Sequence, residues 1–69
     1  MTKEMKFFIY LLENYADYKG ISANNILKEW DRLAITNKII NNYELYHIES
    51  IENAYKDIDK LMKKHNKNC

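Results

Sequence analysis

Apolar residues recur along almost the whole chain at intervals of three and four, and that spacing fixes the fold class. Four stripes carry it: Met5–Phe8–Ile9–Leu12–Tyr15–Ala16, Ala23–Ile26–Leu27–Trp30–Leu33, Ile39–Ile40–Tyr43–Tyr46, and Ile51–Ala54–Tyr55–Ile58–Leu61–Met62. Positions i, i+3, i+4 and i+7 lie on one side of a helix, whereas a strand alternates every second residue. The chain has no proline and a single glycine, so the turn chemistry of hairpins is almost absent. The spacing predicts an all-α protein, a compact bundle of four short helices over about 3–19, 23–34, 37–47 and 51–64.

Local signals mark the helix ends. Thr2 is a suitable N-cap for the first helix, with Glu4 in the first turn where a negative charge suits the helix dipole. Gly20 follows as the residue that ends it in a left-handed conformation. Ser22 caps the second helix, with Ile21 before it and Ile26 after it as a hydrophobic staple. Ile35, Thr36 and Ile40 repeat that pattern for the third, which continues to His47 through the weak helix formers Asn41 and Asn42. Ser50 caps the fourth, where Glu52–Lys56 and Asp59–Lys63 are favourable i, i+4 pairs. Residues 1–64 read as one domain, and 65–69 as a polar tail that frays.

With 69 residues the chain buries roughly 60% of its unfolded surface, so nearly every large apolar residue belongs in one core and little remains for a deep pocket. On a helical wheel the first helix nonetheless exceeds its share. Phe7, Leu11 and Tyr18 widen its apolar arc to roughly 200°. Two explanations stand: the helix is central and touches several others, or these three residues form a contact surface for a partner or a second copy.

Chemistry is sparse. Ten acidic and eleven basic residues give a net charge of +1, which argues against a dedicated nucleic-acid binder with its basic face. The second and third helices admit a helix-turn-helix reading, but the would-be recognition segment 37–44 offers Lys38 alone as a base, and Lys28 and Arg32 lie beside Glu29 and Asp31. His47 falls at the edge of the third helix's apolar side, one turn after Tyr43, with no cysteine or serine placed as its nucleophile. His65 belongs to the tail region. Cys69, the one cysteine, forms no intramolecular disulfide, which fits a reducing cytoplasm. Two distant histidines and a terminal cysteine make no zinc pattern, and Glu13 and Asp17 read as a solvated helix face. A single glycine allows no phosphate-cradling loop. The apolar run Phe7–Leu12 is too short for a signal peptide, and no stretch reaches the roughly 20 residues of a membrane span. The expectation is a cytoplasmic protein that is not an enzyme, with no cofactor, metal, small-molecule ligand or membrane partner.

Six tyrosines are many for so short a chain, and tyrosine suits sites with one dry end and one wet end. Tyr15, Tyr43, Tyr46 and Tyr55 lie on or beside predicted core faces. Tyr10 and Tyr18 do not, and Leu45 points away from its stripe. Phe7, Tyr10, Leu11, Tyr18 and Leu45 are therefore the candidate partner-binding residues, the partner being another protein or a second copy.

The segments Phe7-Phe8-Ile9-Tyr10-Leu11-Leu12-Glu13-Asn14-Tyr15-Ala16 and Ile39-Ile40-Asn41-Asn42-Tyr43-Glu44-Leu45-Tyr46-His47, with Ser22 ahead of Ile26 and Leu27, are similar to a family of very small bacterial proteins. It is the domain of unknown function numbered thirty-seven ninety-one, and the resemblance covers roughly residues 5 to 62. Its pattern is an apolar-aromatic first helix, a capped second helix and a tyrosine-rich third helix ending in Leu-His; here Tyr46 replaces that leucine. These are mostly packing residues, and the family has no established activity, so no binding residue is transferred. Its members often sit beside ADP-ribosyltransferase-like toxin genes. The resemblance thus implies a small interaction module, an antitoxin-like partner of a neighbouring enzyme; the alternative is a small helix-turn-helix-like nucleic-acid-binding regulator.

Overall fold

The first helix, α1 (Lys3–Lys19), begins where the sequence says it should. Thr2 is extended, and its Oγ1 accepts the Met5 backbone N–H at 3.1 Å. Gly20, at φ 69°, ends the helix: its N–H reaches the Asp17 carbonyl and the Ile21 N–H reaches that of Ala16, the paired bonds of a Schellman motif. Ser22 then caps α2 (Ala23–Arg32) by accepting the Asn25 N–H at 3.2 Å. The computed structural model describes residues 1–65.

The end of α2 repeats the Schellman geometry on a residue that tolerates it poorly. Ala34 N–H bonds Asp31, Ile35 N–H bonds Trp30, and Ala34 takes φ 60° where α1 has glycine. An L-residue in this region carries a cost of about 1 kcal/mol. Accordingly α2 closes at Arg32, two residues before the predicted end.

The single third helix expected over 37–47 is two: α3 (Thr36–Asn41) and α4 (Tyr43–Ile48). Asn42 breaks it, with φ −90° and ψ 18°. Its N–H closes α3 on Lys38 and Ile39, while its carbonyl accepts the Tyr46 N–H that opens α4. Two β-branched residues followed by Asn41 and Asn42 leave this segment little intrinsic helicity to resist the break. Thr36 does not cap α3 either. Ile35 occupies the cap position, and the Thr36 hydroxyl donates back to Asp31 at 2.6 Å. The last helix, α5 (Ile51–His65), opens on the Ser50 carbonyl and carries His65 within it, whereas the tail expected to fray, from Asn66 on, lies outside the described residues.

Every other helix packs around α1, which touches α2, α3 and α4 and is joined to α5 by side-chain contacts. Among the described residues there is no strand, and no helix is long and apolar enough to cross a membrane. Trp30 lies at the centre, its ring 5.7 Å from both Phe8 and Tyr15. Two tyrosine–carboxylate pairs fasten α5 to this core. The Tyr15 hydroxyl donates to Asp59 at 2.5 Å, and Asp59 also meets Lys19 at 3.0 Å; the Tyr46 hydroxyl donates to Asp57. Burial drives both phenols upward in pKa, and their carboxylate partners add to the effect; Tyr46 is pushed up to about 12.

The buried arc of α1 is rotated relative to the expected stripe. Phe8, Leu12, Tyr15 and Ala16 are buried as predicted, but Met5 and Ile9 are exposed and Leu11 replaces them, at 1% exposure. Leu11 lies on the same row as Phe7 and Tyr18, four residues after the first and seven before the second. Phe7 meets α4 and Tyr18 meets α5, so the row between them is covered.

Candidate interaction surface

Of the five candidate residues, the structure separates one cleanly from the rest. Leu11 belongs to the core, which corrects its assignment to an exposed face: the helices packed on either side of it leave no surface for a partner. Phe7 is half-buried at the edge of that core. Tyr10 and Tyr18 are 53% and 56% exposed, although both sit on the innermost helix. Leu45, at 48%, lies elsewhere, beside a shallow open groove of about 330 Å³ between α4 and α5 that Lys56 and Lys60 also line.

Ring contacts place three of these residues in two separate groups. The Phe7 ring lies 6.1 Å from Tyr10, and it meets Tyr43 and His47 of α4 edge-on at 5.5 and 5.9 Å. Two turns further along α1, Tyr18 stacks on Tyr55 of α5, with centroids 4.6 Å apart and planes 18° from parallel. Such pairs hold rings in place and leave their outer faces wet. The result is an aromatic margin in two clusters, one where α1 meets α4 and one where it meets α5, with Tyr10 exposed in the first and Tyr18 in the second.

Two contributors to this margin, Tyr43 and His47, read by spacing as packing or core-edge residues; Tyr55, which Tyr18 stacks on, is buried in the core as its spacing predicts. The i, i+4 interval of Tyr43 and His47 signalled their adjacency, and their ring centroids lie 5.2 Å apart. Exposure of His47 was not readable, because it depends on where Asn42 turns the chain. Burial pushes the Tyr55 phenol up in pKa, with Glu52, Tyr10, Asp17 and Tyr18 around it adding to the shift. Ile48, outside all four stripes, is the other large apolar side chain fully displayed on α4.

The remaining candidates are dispersed. Glu13 and Asp17 are both exposed on α1 and line an open groove with Ser22, and among the described residues no three His, Cys, Asp or Glu side chains come together as a metal site would require. His65 packs its Nε2 3.1 Å from Lys38 Nζ. In the α2–α3 hairpin, Arg32 is held by Glu29 through two hydrogen bonds of 2.8 and 2.9 Å, a pairing that keeps the Glu29 carboxyl below the usual range. The six-residue α3 that follows presents Lys38 and exposed asparagines. The best-formed concavities are shallow and open to solvent, the largest of them about 430 Å³.

No curated protein and no solved structure matches the chain. A family described as Protein of unknown function (DUF3791) matches residues 6–65, a span that includes all five helices nearly whole. The chain belongs to that family.

Proposed function

We propose that this protein is a small protein-binding module whose working surface is the aromatic margin of α1. The observation that supports the reading is the placement of Tyr10 and Tyr18. Both are on the helix that every other helix packs against, in a chain short of core material, and yet more than half of each side chain is left to solvent. Exposed tyrosine held by neighbouring rings presents large contact area with little freedom to lose, which is what interface centres use. The shallow, open concavities favour a binding role over a catalytic one.

Recovery of partners on the tagged chain from its host tests this. The expected result is a protein captured by the native chain and lost from a Tyr10→Glu/Tyr18→Glu variant of unchanged helicity. Undiminished capture by that variant overturns the assignment of the surface. The finer, antitoxin-like reading comes from the resemblance to proteins encoded beside ADP-ribosyltransferase-like toxins. It expects co-expression of the chain to restore growth to cells carrying such a neighbouring enzyme, and absence of rescue overturns it.

A further inference from the structure

The net charge of +1 conceals a segregation that bears on the kind of partner this margin fits. The segments that build it, residues 7–18 and 43–55, hold Glu13, Asp17, Glu44, Glu49 and Glu52, half of the ten acidic residues in the chain. They hold none of the eleven lysines and arginines. The bases are confined to the rest of the chain, with Lys6, Lys19 and Lys56 at the borders of the two segments.

Folding gathers the two segments. Phe7 reaches Tyr43 and His47, and Tyr18 lies on Tyr55, so rings from both segments meet along α1, while Glu49 lies apart in the groove that Lys56 and Lys60 line. Asp17 adjoins Tyr18 on α1 and Glu52 stands one turn before Tyr55 on α5; burial raises the Tyr55 phenol in pKa, and both carboxylates add to that shift. Lys19 shows what such rings accept. Its ammonium lies 5.2 Å from the Tyr18 centroid and 5.7 Å from that of Tyr15 while bridging to Asp59 at 3.0 Å. A cation over a tyrosine face with a carboxylate beside it is the arrangement that recognises lysine and arginine side chains.

We infer that the exposed Tyr10 and Tyr18 rings of α1, with Asp17 and Glu52 beside them, bind a basic, arginine- or lysine-bearing segment of a partner protein. This rests on the reading of that surface as a protein-binding site and adds the chemical class of what it takes. An acidic or nucleic-acid partner would meet like charge there, and like charges across an interface discriminate against binding.

Three short amphipathic peptides with the same apolar residues, carrying arginine, glutamine or glutamate at the polar positions, serve as probes, followed by amide shifts of the isotopically labelled chain. The arginine peptide is expected to shift amides within 7–18 and 43–55 and to weaken several-fold as salt rises from about 0.05 M to about 0.5 M. Asp17→Asn and Glu52→Gln should each weaken it by up to about fivefold, with the native fold intact in the spectrum of the unbound variant. Equal or tighter binding of the glutamine or glutamate peptide at the same amides overturns the basic class while leaving the surface as a protein-binding site. An arginine peptide that shifts other amides, or no peptide shifting these, overturns the surface as well.

Discussion

Tyr15 and Tyr18 stand one turn apart on α1 and occupy opposite environments. Tyr15 is wholly buried, and its hydroxyl is taken up by Asp59, because a phenol removed from water needs a partner. Tyr18 lies against Tyr55 by one ring face, has the Lys19 ammonium 5.2 Å from its centroid, and leaves more than half of its surface in solvent. The same contrast separates neighbours Leu11 and Tyr10. On its inner side α1 is scaffold, tied to α5 by a buried phenol. On its outer side it displays rings that the core does not consume. Chemistry of the residue does not decide the role; position relative to α4 and α5 does.

Substitution should expose that division most strongly at Leu11. Leu11→Ala is expected to lower the free energy of unfolding by about 3 kcal/mol in urea titration, because it opens a cavity in a closed core, whereas Tyr10→Ala should cost less than about 1 kcal/mol. Equal losses at the two positions would erase the distinction between inner and outer sides. Hydroxyl removal sharpens the contrast between the tyrosines: Tyr15→Phe removes the hydrogen bond to Asp59, which keeps its Lys19 ion pair, and should cost about 1 kcal/mol, and Tyr18→Phe should be close to neutral in the same titration.

Alkali attacks the inner side selectively. The Tyr46 phenol has a folded pKa of about 12 against about 10 when unfolded, so its contribution to stability is complete below pH 10 and disappears as pH climbs through 12. Tyr15 is raised in the same direction for the same reason, burial, with its Asp59 partner adding to it. Thermal midpoints should therefore fall across that window, and Tyr46→Phe should make the fall shallower. A pH-independent midpoint from 10 to 12 would contradict the buried Tyr–Asp fastening.

The two helix ends give the smallest contrast. Nothing lies within 4 Å of a Cβ built on Gly20, so Gly20→Ala should cost only the left-handed backbone term, about 1 kcal/mol, and Ala34→Gly should return a similar amount. Both are readable as shifts in the urea midpoint.

The ends at Thr2, Gly20 and Ser22 were legible because a cap needs only its own few residues to form. The left-handed turn at Ala34 was not, since no residue there announces it; the need to turn α2 back toward α1 imposes it. Asn41 and Asn42 signalled weakness in the third helix, but whether weakness becomes a break depends on tertiary packing. The width of α1's apolar arc was visible in Phe7, Leu11 and Tyr18. Which of the three would be covered was not, because it depends on α4 and α5, which the wheel of one helix leaves out. Tyr10 remained outside the core for a reason the spacing did contain, since it is off the stripe that α1 turns inward, whereas Tyr18 shares its row with buried Leu11 and is exposed all the same.

Site-specific photo-cross-linking puts the central claim, that the outer side of α1 is the working surface, to the most direct test. A benzophenone amino acid replaces Tyr10 or Tyr18 in one set of chains and Lys28 or Asn37, on the α2–α3 hairpin, in another. Irradiation in host cells is predicted to yield a covalent protein adduct from positions 10 and 18 and little from 28 and 37. Adducts from the hairpin positions, with positions 10 and 18 silent, would contradict it.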